Sequence, residues 1–121
     1  MSRTDSAVER HFEGRAPSVA ATYAAVLDAA RRCGAVVEEP KKTSIHLVRR
    51  TAFAGVATQK AALLLTLKSD RDVASKRLRK RERVSANRWH LVVRLAQPRE
   101  VDREVRRWLE RAYSLAGPRS A

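Results

Sequence analysis

The chain reads as a single α+β domain: an antiparallel sheet of about five strands, with N-terminal and C-terminal helices packed on one face. Three observations predict this. Apolar residues recur at helical spacing near both ends of the chain. Between them the apolar period falls to two. The period-two runs are joined by short turns, which suits antiparallel neighbours, whereas a parallel sheet needs helices between its strands. The expected order is α-α-β-β-β-β-loop-β-α, with a folded core over about residues 5–117 of 1–121.

The first helix is expected over Asp5–Glu13. Ser6 and Glu9 have capping-box spacing, Val8 and Phe12 share a face, and Gly14 ends the run. Pro17 suits the first position of a second helix, whose stripe is Val19, Tyr23, Val26, Leu27 and Ala30, closed by Gly34. Ala35–Glu38 reads as a short strand closed by Pro40. Thr43–Arg49 alternates, with Ile45 and Leu47 on one face and Ser44, His46 and Val48 on the other. Ala52–Thr58 is a strand of small residues, and Gln59-Lys60-Ala61 is a turn. Ala62–Lys68 puts Leu63, Leu65 and Leu67 on one face. Trp89–Leu95 follows the same pattern with Leu91, Val93 and Leu95. Gln97-Pro98 then turns the chain into a helix with the stripe Val101, Val105, Trp108, Leu109, Ala112 and Tyr113, closed by Gly117-Pro118. Glu100, Asp102 and Glu104 at its start complement the helix dipole. The leucine row, with Ile45, Leu47, Val93, Val105 and Leu109, is the expected core.

Between the fourth and last strands, Ser69–Arg88 carries Arg71, Lys76, Arg77, Arg79, Lys80, Arg81, Arg83 and Arg88 against Asp70, Asp72 and Glu82. With little apolar content to bury, it reads as a long basic loop. The whole chain has 26 Lys+Arg against 13 Asp+Glu and a net charge of +13. That balance favours anionic partners by electrostatics alone.

Several classes are excluded. No apolar run is long enough to span a membrane, and Met1-Ser2-Arg3-Thr4-Asp5 lacks the apolar core of a secretory signal. The single Cys33 has no partner for an internal disulfide, which points to a cytoplasmic setting, and its place at the end of an apolar stripe predicts a buried, inert thiol. The chain has no zinc spacing, no glycine-rich phosphate loop and no G-x-S-x-G elbow. Neither a metal nor a cofactor is expected, and the role reads as non-enzymatic.

Two candidate surfaces remain. The basic tract Arg71, Lys76, Arg77, Arg79, Lys80, Arg81, Arg83 and Arg88, with Trp89 beside it for base stacking, suits non-specific nucleic-acid binding. Alternatively, His46 and His90 lie opposite the leucine row, where a pocket shared with Asn87 would take a small anionic ligand or a protein partner. Lys60, Lys80, Glu82, Ser85 and Arg88 belong to the same candidate group, Lys80 and Arg88 as anion donors. The competing reading of Ser85 and Asn87 is turn capping, that of the histidines is ordinary surface groups, and that of the arginines is a solvated tract.

The segments KKTSIHLVRR (Lys41–Arg50), AFAGVATQK (Ala52–Lys60), LLLTLKSDR (Leu63–Arg71), RVSANRWH (Arg83–His90) and EVDREVRRWLERAYSLAG (Glu100–Gly117) resemble a bacterial family of small domains. It is the family numbered 5655 among domains of unknown function. The likeness runs from Val8 to Gly117 and implies a cytoplasmic α+β domain without an assigned activity. Family members often carry glycines before the last strand, whereas Ser85-Ala86-Asn87-Arg88-Trp89-His90 has none.

Overall fold

A computed structural model describes residues 3–117. Helix α1 (Arg3–Glu9) runs into a 3-10 turn (Arg10–Phe12), followed by α2 (Pro17–Arg31). The strands are β1 (Val37–Pro40), β2 (Ile45–Val48), β3 (Ala52–Thr58), β4 (Leu63–Ser69), β5 (Leu78–Ser85) and β6 (Arg88–Leu95). A second 3-10 turn (Pro98–Glu100) leads to α3 (Arg103–Leu115). The sheet is antiparallel throughout, in the order β1-β2-β3-β4-β6-β5.

The leucine row is core as expected. Ile45, Val56, Leu65 and Val93 stand side by side across four strands, and Leu47, Ala54, Leu67 and Leu91 form the next row. All eight are buried. All but Leu91 join Val19, Tyr23 and Val26 of α2 and Val105, Leu109 and Ala112 of α3 in one cluster. The helices therefore cover one face of the sheet, and the other face is left open. Burying an aliphatic side chain contributes about 1.5–3 kcal/mol, so these rows outweigh any single polar contact in the molecule.

The expected basic loop is corrected by the structure. Its second half is β5, an edge strand paired with β6 through a tight hairpin, which raises the strand count to six. All of β5 after Leu78 is exposed, so it shows no apolar alternation. An edge strand with water on both faces needs none; its ladder to β6 holds it, and charges on a free edge disfavour pairing with another chain.

Three smaller corrections concern element ends. Ser6 lies inside α1 rather than at its cap. Pro40 is the last residue of β1 rather than a stop beyond it; β1 is an edge strand, where a missing N–H is tolerated. Cys33 is partly rather than fully buried. Its Sγ points to the Ala29 carbonyl at 3.7 Å, and burial, with the Glu110 charge, pushes the thiol pKa up against the opposing pull of Arg49. Pro118 lies outside the described residues.

Tyr113 ties the C-terminal end of α3 to the rest of the domain. Its hydroxyl donates to the Ala35 carbonyl at 3.1 Å, and its ring meets Phe53 edge-on at 5.3 Å. Phe53 is the extra residue of a β-bulge, lying between the partners of Leu47 and Val48, and the bulge re-aims it. Arg49 lies 4.3 Å from the Tyr113 ring centroid and donates to the Tyr113 carbonyl at 3.1 Å.

Candidate functional site on the open face of the sheet

The open face is built by alternation. With Ile45 and Leu47 turned into the core, His46 must point outward, as must Gly55, Thr66 and Val92 beside it in register. The small outward residues of β3, Gly55 and Ala57, make a low floor between taller neighbours. The result is a hollow of 370 Å³ lined by His46, Gly55, Ala57, Thr66, Lys68 and His90, with Ser44 at its margin. That volume sits at the low end of small-molecule sites.

Lys68 and His90 are partners across β4 and β6. Arg88 lies two residues before His90 and so faces the same way. Loss of water around Lys68, followed by the repulsive charge of Arg88, lowers the Lys68 pKa. Lys68 donates to Thr51 Oγ1 at 3.3 Å and has no carboxylate partner among the described residues. Arg88 Nη1 is buried and has no hydrogen-bond partner among the described residues. The nearby carboxylate, Glu82, stands opposite His90 in register but is engaged by Lys80 at 3.1 Å.

His46 and His90 therefore line one hollow, but they do not meet. β3 and β4 separate their strands, three strand spacings or roughly 14 Å. Asn87 is not in the hollow. It sits with Ser85 and Ala86, all exposed, at the tip of the β5–β6 hairpin. Lys60 is exposed in the β3–β4 turn, where its carbonyl accepts from the Ala16 N–H at 2.8 Å. Thr66, Lys68 and Gly55 were missed by reading the sequence. The available signal was a lone glycine inside a strand, with a lysine on the outward parity of the neighbouring strand.

Several cations of the basic tract are already occupied. Arg77 holds Asp102 and Glu104 at 2.8 Å and 3.3 Å, Arg81 holds Asp72 at 3.4 Å and Arg71 holds Asp70 at 3.4 Å. Lys76, Arg79 and Arg83 are exposed and have no carboxylate partner among the described residues. Arg83 donates instead to the carbonyls of Ser85 and Ala86, bracing the hairpin tip. Trp89 is partly exposed and stands between Ser69 and Arg83 in register, on the opposite face from Lys68 and His90. Base stacking on Trp89 and anion binding in the hollow would thus use different faces.

A family model for a domain of unknown function, DUF5655, matches residues 8–116. The chain belongs to that family. The DUF5655 span includes all six strands, so every residue lining the hollow falls within it. No curated protein and no solved structure matches the chain. Among the described residues, no helix of this DUF5655 domain is long and apolar enough to cross a membrane.

Proposed function

We propose that this DUF5655 domain is a non-enzymatic binding module whose ligand is a small anion seated on the open face of the sheet. One observation carries the reading: among the described residues, Arg88 Nη1 is buried without a partner, next to a second cation, Lys68, that has no carboxylate to neutralise it. An unpaired buried donor costs about 1–3 kcal/mol, and a bound anion removes that cost. Guanidinium and ammonium groups side by side repel until an anion lies between them. The proposal sets the domain in the cytoplasm, in keeping with a single cysteine that has no internal partner.

The test is thermal unfolding in phosphate and in chloride at equal ionic strength. Phosphate is expected to raise the midpoint of the natural domain. The gain should be lost in Lys68→Met and in Arg88→Gln. If both variants respond as the natural domain does, the hollow is not the anion site.

A second reading, non-specific nucleic-acid binding, is favoured by the exposed Lys76, Arg79 and Arg83 of the β5 region, which present charge with no carboxylate beside it. Its measure is the dependence of affinity on salt.

A further inference from the structure

Gly55 occupies the middle of β3, paired with His46 on one side and Thr66 on the other. A glycine there weakens a strand, because it has more freedom to lose on folding and no side chain to pack. Nothing in the backbone asks for it: Gly55 is not among the glycines with positive φ. Nothing in the packing asks for it either. A Cβ at this position would have one neighbour within 4 Å, His46 Cδ2, at an ordinary contact distance of 3.7 Å. What the missing side chain does is keep the floor of the hollow low. Ala57, next outward along β3, continues that floor.

The hollow thus has two ends of different character. Toward β6 it carries Lys68 and His90, with Arg88 beside them. Toward β2 its floor is alkyl and bare backbone, closed by the His46 ring. An inorganic anion would use only the first end and leave the second wetted. Resting on the anion reading above, we propose that the ligand is an organic anion with a flat apolar body, its charged group at Lys68, Arg88 and His90 and its body over Gly55, so that Gly55 determines specificity. A second copy of this chain is a poor occupant, because two such faces would bring Lys68, Arg88 and Arg94 against their own copies in a chain of net charge +13. A carboxylate or phosphate carrying an aromatic or short aliphatic group matches both ends.

The experiment is calorimetric titration with three probes: 2-naphthoate, inorganic phosphate, and naphthalen-2-ylmethylamine, which carries a cation on the same body. 2-Naphthoate is expected to bind about tenfold or more tighter than phosphate, since the apolar body adds buried area at little entropic cost. The amine should not bind. Gly55→Val should weaken 2-naphthoate about tenfold or more while leaving phosphate unchanged, because it fills the floor and not the charged end. Gly55→Ala, whose Cβ fits without strain, should give a smaller loss in the same direction and guards against misfolding of the valine variant. Lys68→Met should weaken both anions. Phosphate binding that depends on Lys68, with 2-naphthoate no tighter, would leave the anion reading standing and overturn this inference. Equal binding of amine and naphthoate, or naphthoate binding untouched by both Gly55 variants, would also overturn it. Loss of Lys68 dependence for both anions would overturn the inference and the reading beneath it together.

Discussion

Arg77, on the connection entering β5, holds Asp102, the residue that caps α3: its Nη1 donates to the two carboxylate oxygens at 2.8 Å and 2.9 Å. The same Asp102 accepts the Val105 N–H at 3.2 Å, and Arg77 Nη2 reaches the Glu100 carbonyl at 2.8 Å. One guanidinium thus fastens the start of the C-terminal helix to the edge of the sheet. The tract around it does structural work at this residue, and its charge is not a free surface there.

Asp102→Ala is expected to destabilise the domain by about 1–2 kcal/mol, a helix-cap loss of roughly 1 kcal/mol plus a small share from a half-exposed ion pair. Partial burial pushes the Asp102 pKa up, but the Arg77 bond, the Val105 N–H and the Arg77 charge outweigh it and hold it below the ordinary aspartate value of 3.8. A folded pKa below the unfolded one means the stabilisation is complete above the unfolded value and is lost as pH falls through the folded one. Urea midpoints should therefore fall less steeply with acid in Asp102→Asn than in the natural domain. Parallel curves for the two would remove Asp102 from the acid response.

Leu65→Ala is expected to cost about 2–5 kcal/mol, because Leu65 is fully buried between Val56 and Val93 and the surrounding rows cannot close the gap. Chemical unfolding followed by circular dichroism measures it. A loss near zero would place the core elsewhere.

The parts of the fold legible in the sequence are those where burial imposes a period. Leu63, Leu65 and Leu67 alternate because only one face of β4 meets the helices, and Val105, Leu109 and Ala112 recur because one stripe of α3 does. β5 imposes no such period. Arg79, Lys80, Arg81, Glu82 and Arg83 are solvated on both faces, so the only thing that makes them a strand is the ladder to β6, which has no signature in side-chain type. The outward parity of His46 and His90 was readable for the same reason as the leucine row. The place of Lys68 beside His90 was not, since it depends on β6 pairing with β4 across the β5 excursion. Asn87 and Lys60 were grouped with the histidines by nearness in the chain or by charge, and the turns that carry them lead away from the hollow.

Two glycines separate backbone need from open space. Gly34 has φ +152°, and a Cβ there would collide with the Tyr113 hydroxyl, so Gly34→Ala should destabilise the domain by well over the ~1 kcal/mol that an ordinary glycine replacement changes. Gly55→Ala should instead stabilise it by about 0.5–1 kcal/mol, since its backbone and its surroundings both accept a methyl group. Thermal midpoints moving in opposite directions check the pair. A fall for Gly55→Ala would mean that the strand itself needs the glycine, and the hollow would then be a by-product.

Salt dependence decides how much of the basic tract is available to a polyanion. Arg71, Arg77, Lys80 and Arg81 each have a carboxylate within 3.4 Å, and binding phosphate with them means giving up that partner. Lys76, Arg79 and Arg83 carry no such cost. With about 0.9 counterion released per contact on duplex DNA, three contacts give a log–log slope near −3, where all eight cations of the tract would give about −7. Fluorescence anisotropy with a short duplex at several salt concentrations reads the slope directly. Changing Lys76, Arg79 and Arg83 together to Ser should flatten it toward zero, while Lys68→Met, on the other side of β6, should leave it where it was. A slope near −7 in the natural domain would show that the ion pairs open on contact, and a slope unchanged by the triple substitution would move nucleic-acid binding off β5.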